Sequence, residues 1–278
     1  AALKALAVLG AGRHVPAVLD ALVAAGDDGV RRSAERALVS IGPRVSRGGS
    51  PHPPRADTPL EGNAAGTETR RAPGFTAAFV RQVVRAMGDA DATARCALLR
   101  VLGAAPTDRG LAAARQALGA GEEAVRETAI RVLASWPSTA AAADLLAVAR
   151  DAEATKPRIL ALRGYIRLAG RVQDPAERAR MVGRALSAAE RVQERRLALA
   201  ALAEVPTTEA LPLALAHMEE ASLRNEAAAA VVGIAEGISA DHPAEARAGL
   251  QAVLRAVEAG RLRQRAERLL ERLGEGGR

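Results

Sequence analysis

The residues that could do chemistry in this chain are few and lie far apart. Four histidines, His14, His52, His217 and His242, and a single cysteine, Cys96, are its imidazole and thiol groups. No pair of them stands at the short spacing a zinc site draws on. One cysteine excludes an intramolecular disulfide framework and any Cys-x-x-Cys metal or haem motif. Arg95 beside Cys96 could favour a thiolate, but no histidine is near in sequence, and a lone helical cysteine is read as packing. Gly48 and Gly49 have no strand before them and no helix after, so they form no phosphate loop. The expectation is no catalytic residue, no cofactor and no metal ligand.

Charge is plentiful where nucleophiles are not. Lys4 and Lys156 are the only lysines among 39 basic residues, so arginine supplies the rest, and 32 interspersed acids leave a net +7. Such a surface could meet phosphates, but base engagement needs stacking aromatics. The aromatic residues are Phe75, Phe79, Trp136 and Tyr165, all at positions that read as core. Nucleic-acid binding is therefore the alternative reading rather than the first. Nowhere do 18 apolar residues run consecutively, so no membrane span is expected, and no small-molecule substrate is evident. The start at Ala1, without a signal segment, reads as a truncation.

The elements that must position these groups are helices. Apolar residues make up 49% of the chain but aromatics only 1%, and the composition of good helix formers with few β-branched residues predicts an all-α fold. Residues 124–137, AVRETAIRVLASWP, show the unit: Val125, Ala129, Val132, Leu133 and Trp136 fall at offsets 0, 4, 7, 8 and 11, one side of a helix. Taking the alanine at offset 4 as anchor, copies stand at Ala2, Ala34, Ala97, Ala129, Ala161, Ala198, Ala227 and Ala266. Offset 8 then holds Leu6, Leu38, Val101, Leu133, Tyr165, Leu202, Val231 and Leu270, all large and apolar. A recurrence of this kind signals stacked helical repeats.

Each copy is preceded by a second amphipathic run, at 14–25, 75–87, 108–118, 140–152, 175–188, 208–220 and 243–258, expected to pair with it as a hairpin. Asp174, Ser138, Thr207 and Asp241 offer N-caps, and Pro175 with Glu177 completes a capping-box pattern. The one long spacing, 63 residues between Ala34 and Ala97, contains 43–73, rich in proline and glycine and without helical period. It is expected to be a disordered insert. The organisation is then 1–42, an N-terminal half-repeat and a first repeat; 43–73, the insert; and 74–278, six further repeats continuous with the first.

The run of an acid followed by V-R-x-x-A-x-x-x-L, as in Glu122, Glu123, Val125, Arg126, Ala129 and Leu133, resembles the second helix of HEAT repeats. The stretch from Ala97 to Ala169, with CALLRVLG, AIRVLASWP and LALRGYIRLAG, is similar to HEAT arrays of large bacterial proteins that also carry 3-keto-disaccharide hydrolase-type or c-type-haem domains. The resemblance implies a right-handed, armadillo-type α-solenoid of antiparallel helical hairpins with the second helices on its concave side. It implies a non-catalytic scaffold for protein binding or domain spacing, a fragment of a larger bacterial protein. A HEAT-like lyase or glycosylase-type enzyme is a second alternative that rests on fold alone.

Under that resemblance the arginines at offset 1, Arg31, Arg126, Arg158, Arg195, Arg224 and Arg263, pair with the acid of the preceding turn. Asp27, Asp28, Glu122, Glu123, Glu219 and Glu220 are the acids so placed. Arg36, Arg131, Arg163 and Arg268, at offset 6, point away from the apolar stripe and are the candidates for touching a partner protein.

Overall fold

A computed structural model describes residues 14–45 and 76–275, with side chains to 41 in the first segment and to 274 in the second. The half-repeat at 1–13, His52, Phe75 and most of the 43–73 insert lie outside these residues. The described chain is all-helical and repeat-like, with fourteen α-helices. In order they are α1 Val15–Val23, α2 Asp28–Val45, α3 Ala77–Ala86, α4 Ala92–Ala104, α5 Asp108–Ala117, α6 Glu123–Ala134, α7 Ala142–Asp151, α8 Thr155–Ala169, α9 Pro175–Ala188, α10 Val192–Leu202, α11 Ala210–Leu215, α12 Arg224–Ile238, α13 Pro243–Ala256 and α14 Arg261–Glu275. The even-numbered helices carry the anchor alanines and the odd-numbered ones are the leading helices. No helix among the described residues is long and apolar enough to cross a membrane.

The chain divides into two compact units, 1–132 and 133–278, the division falling within α6. In the second unit α8, α10, α12 and α14 pack in one row and α7, α9, α11 and α13 in another, with each odd helix also against the even helix that follows it. In the first unit α2 packs on α4, and α1, α3 and α5 succeed one another. Contacts thus join near neighbours in sequence, the condition under which stability becomes a sum of local interfaces.

The anchor alanines explain why these rows close. Ala34, Ala97, Ala129, Ala161, Ala198, Ala227 and Ala266 are all 0% exposed. A methyl group at the contact lets helix axes come within about 8–10 Å. Beside them the large residues of offset 8 from Leu38 to Val231 are buried as the pattern requires, whereas Leu270 in the last helix is half-buried. Ala104, the one small residue at offset 11, is exposed, and Ala105 is buried instead.

Tighter still is Gly164 in α8. A Cβ there would lie 2.5 Å from Ala134 Cβ and 3.1 Å from its Cα, which no rotamer change can relieve. Gly164→Ala is expected to destabilise the second unit by about 1–3 kcal/mol through overpacking, although alanine is the better helix former by about 1 kcal/mol. A denaturant melt checks this: a variant as stable as the parent would mean that Ala134 and α8 are not in contact.

Helix starts follow capping chemistry, in part at other residues than those expected. Asp174 accepts from the backbone N–H groups of Ala176 at 3.3 Å and Glu177 at 3.2 Å, and Ser138 from Ala140 at 3.4 Å. Thr76, Asp91 and Thr107 cap α3, α4 and α5 in the same way. Thr207 and Asp241 do not: the Thr207 hydroxyl donates to Glu209, and α13 begins at His242 without a side-chain cap. The leading helix expected at 208–220 is only Ala210–Leu215. Past Ala216 the bonds become i to i−3, His217 N–H to Ala214 and Met218 N–H to Leu215, a tightening that turns Met218 into the core.

Candidate interaction surface

The ladder of offset-1 arginines is present, but its first partners are backbone carbonyls rather than acids. Arg126 donates to Ala120 O at 2.7 Å and Gly121 O at 2.6 Å, Arg195 to Ala189 O at 3.0 Å, and Arg224 to Met218 O at 3.2 Å. Arg158 reaches Ala149 O at 3.3 Å, Arg263 reaches Leu254 O and Val257 O at 2.7 and 2.9 Å, and Arg31 bonds Ala25 O. These carbonyls lie at or just beyond the ends of the leading helices, where the last C=O groups have no partner within the helix. A side chain in the first turn of a helix leans toward the N-terminus, so the guanidinium swings back over the turn and caps them. Where offset 1 holds Ala94, Arg95 at the next position takes over, donating to Met87 O at 3.3 Å.

The expected pairing with an acid of the preceding turn holds for Arg31, which meets Asp28 at 3.1 Å. Elsewhere the acid is held by an arginine of the preceding repeat: Arg95 with Glu122 at 3.3 Å, Arg195 with Glu220 at 3.1 Å, and Arg158 with Glu190. One guanidinium therefore closes its own helix turn and reaches the next.

A second set of pairs links one even helix to the next. Arg100 of α4 grips Glu35 of α2 through Nε and Nη2, both at 2.8 Å. Arg163 of α8 meets Glu194 of α10 at 2.9 Å, Arg196 of α10 meets Glu226 of α12 at 3.2 Å, and Arg265 of α14 bonds Glu236 of α12. The hydrogen bond from Arg265 holds the Glu236 carboxyl below the ordinary glutamate range, and the hydrogen bond that Arg100 donates to Glu35 raises its guanidinium against a desolvation that opposes it. Burial pushes the Tyr165 phenol up, with a hydrogen bond from Arg184 opposing it.

Two buried acids were not anticipated. Glu127 and Glu194 are buried, Glu194 to 2% exposure. For Glu194 the signal was in the pattern: it occupies offset 0 of its repeat, the place of Val125 and Leu223 in others, and is a charge on the apolar stripe. Arg163 takes its Oε1, while Oε2 has Arg191 at 3.7 Å, beyond hydrogen-bond length.

The candidate partner-binding arginines are all outward-facing but not equally available. Arg131 is tied to Glu127 on its own helix at 3.3 Å and Arg163 to Glu194. Arg36 and Arg268 are exposed and have no acid partner among the described residues. Arg36 donates from Nε to Arg32 O at 3.2 Å. With Arg32, Glu35 and Arg100 it lines an open groove of about 430 Å³ between α2 and α4. Arg36 and Arg131 belong to the first unit, Arg163 and Arg268 to the second.

The Cys96 thiol donates to Ala124 O at 3.3 Å. His14, His217 and His242 stand near α1, α11 and α13, and the described residues contain no cluster of three potential metal ligands. Phe79, Trp136 and Tyr165 are buried, as their positions in the repeat required.

No family model matches the chain, and no curated protein matches it either. Among solved structures it is similar to human deoxyhypusine hydroxylase in complex with glycerol, at 15% identity over 95% of this chain and 96% of that one, with a TM-score of 0.39. It is similar also to an engineered protein from the Northeast Structural Genomics Consortium, at 17% identity over 94% and 97%, with a TM-score of 0.36. Likenesses at this level carry neither a site residue nor an activity to this chain.

Proposed function

We propose that the chain is a non-catalytic scaffold for protein recognition or domain spacing, part of a larger bacterial protein. In this reading the helix pairs are antiparallel hairpins wound into a right-handed, HEAT-like solenoid, with the even helices on the concave side. The observation that supports it is the recurrence of exposed arginines at offset 6: Arg36, Arg131, Arg163 and Arg268 stand there in four of the seven described copies of the same helix. A surface repeated in this way engages an extended partner without a pocket. The enzymatic alternative has little to draw on, because the Cys96 thiol bonds a backbone carbonyl and the histidines lie on separate elements.

The test compares the parent with a variant carrying Arg131→Glu, Arg163→Glu and Arg268→Glu, both immobilised and exposed to an extract of the source cells, with bound proteins identified by mass spectrometry. A defined protein retained by the parent and lost by the variant supports the reading. Binding of random-sequence DNA that falls steeply as salt rises, with no protein selectively retained, would replace it by the nucleic-acid alternative.

A further inference from the structure

We infer that the groove between α2 and α4 is a docking site for an acidic peptide segment, held through two carboxylates by Arg32 and Arg36. The inference rests on the scaffold reading and names the chemistry of its partner. Arg32 and Arg36 stand four residues apart on α2, where like charges face each other and repel. Both are exposed, and neither has an acidic partner among the described residues. The arginines beside them differ, since Arg31 on α2 and Arg100 across the groove each have one.

The third wall of the groove explains why the site is concave and fixed. Arg100 is clamped by Glu35, which is only 18% exposed, so both Arg100 hydrogen bonds to it are used inside the protein. That pair braces α4 against α2 and leaves the charge of Arg32 and Arg36 uncompensated. Guanidinium groups take carboxylates bidentately. Arg36 has already fixed its Nε on Arg32 O, which leaves its two terminal nitrogens to meet a ligand.

Charge geometry selects a peptide over a nucleic acid. A duplex presents one negative charge per about 1.7 Å and is bound along a basic track. Here the neighbouring arginines are already paired with acids, Glu35 sits in the groove itself, and the aromatic residues Phe79, Trp136 and Tyr165 are buried. Two open guanidiniums in a short groove match two carboxylates of one peptide turn.

The experiment is a fluorescence-anisotropy titration of the whole 278-residue chain with a labelled poly-glutamate peptide, with poly-lysine and a single-stranded oligonucleotide as comparators. The parent is expected to bind poly-glutamate and not poly-lysine. Arg32→Ala with Arg36→Ala should weaken it by about tenfold or more, in line with loss of two charge pairs at an interface, while Arg32→Lys with Arg36→Lys recovers part. Both arginines are exposed, so the helical circular-dichroism signal should be unchanged, and Arg268→Ala should leave peptide affinity alone. No binding of poly-glutamate, or binding indifferent to the double alanine variant, overturns the groove. Tighter oligonucleotide binding that needs the same arginines overturns it too. A groove that fails while the cell-extract partner is still retained leaves the scaffold reading standing, so the two failures are distinguishable.

Discussion

Trp136→Ala should cost about 3–5 kcal/mol, the range for emptying a large aromatic site in a packed interior. Trp136 is the only tryptophan of the chain and is 4% exposed. It occupies the first turn after α6, with its N–H on Leu133 O at 3.0 Å and its carbonyl accepting from Arg171 at 2.6 Å. These backbone bonds survive the substitution, so the loss isolates the side chain. In an array of local interfaces the loss need not spread evenly, and thermal melting by circular dichroism should show an earlier transition for the second unit. Trp136→Phe retains most of the volume and should cost less. A thermal midpoint unchanged by Trp136→Ala would mean that the repeat register is wrong at its most conspicuous residue.

Arg163→Ala is expected to be the most damaging of the four substitutions at the candidate partner arginines, by about 2–4 kcal/mol. Its guanidinium is half in solvent, at 51% exposure, whereas its partner Glu194 is at 2%. Removing the arginine strands a buried carboxylate whose other acceptor already lacks a hydrogen bond. Breaking a fully buried pair from one side costs about 3–5 kcal/mol, and the half-exposed arginine places this case at or below that range. Replacing both partners, Arg163→Leu with Glu194→Leu, should be milder than Arg163→Ala alone, because the orphaned charge goes with the pair. Chemical denaturation of the three proteins decides it. If Arg163→Ala alone is neutral, water or another group serves Glu194, and Arg163 is a free surface residue after all. The result also bears on the partner test, since Arg163→Glu must be shown to be folded before lost binding is read as lost contact.

How much of this was legible in the sequence follows from what side chains can signal. Burial of the anchor alanines and of Leu133, Tyr165 and Leu202 was written in a period that only one face of a helix satisfies. The N-cap at Asp174 was equally plain, because aspartate before proline and three residues before glutamate has few other uses. What stayed hidden were backbone partners. A carbonyl leaves no mark in the sequence, so Arg126 and Arg224 were expected to seek acids when the unfilled ends of the preceding helices were nearer. The Arg32, Glu35, Arg36 and Arg100 groove was hidden for another reason. Arg100 is far from α2 in sequence, and only the packing of α2 on α4 makes the four neighbours. Of the offset-6 candidates, Arg36 enters that groove, while Arg131 and Arg163 are drawn into ion pairs.

The arginine that caps the preceding helix end has a consequence for the order of events in folding. Within each unit the guanidinium bond closes a loop of only a few residues, and nearly all the packing that follows joins helices next to one another or one further on. The entropy of closing such loops is small, and chains dominated by short-range contacts acquire structure rapidly. Any helix pair can therefore serve as a nucleus, its turn latched by one arginine while its neighbours are still unformed. Amide exchange under native conditions should accordingly be slowest in the interior pairs of each unit and grade outward from them, as a zipper opens, instead of vanishing everywhere at once.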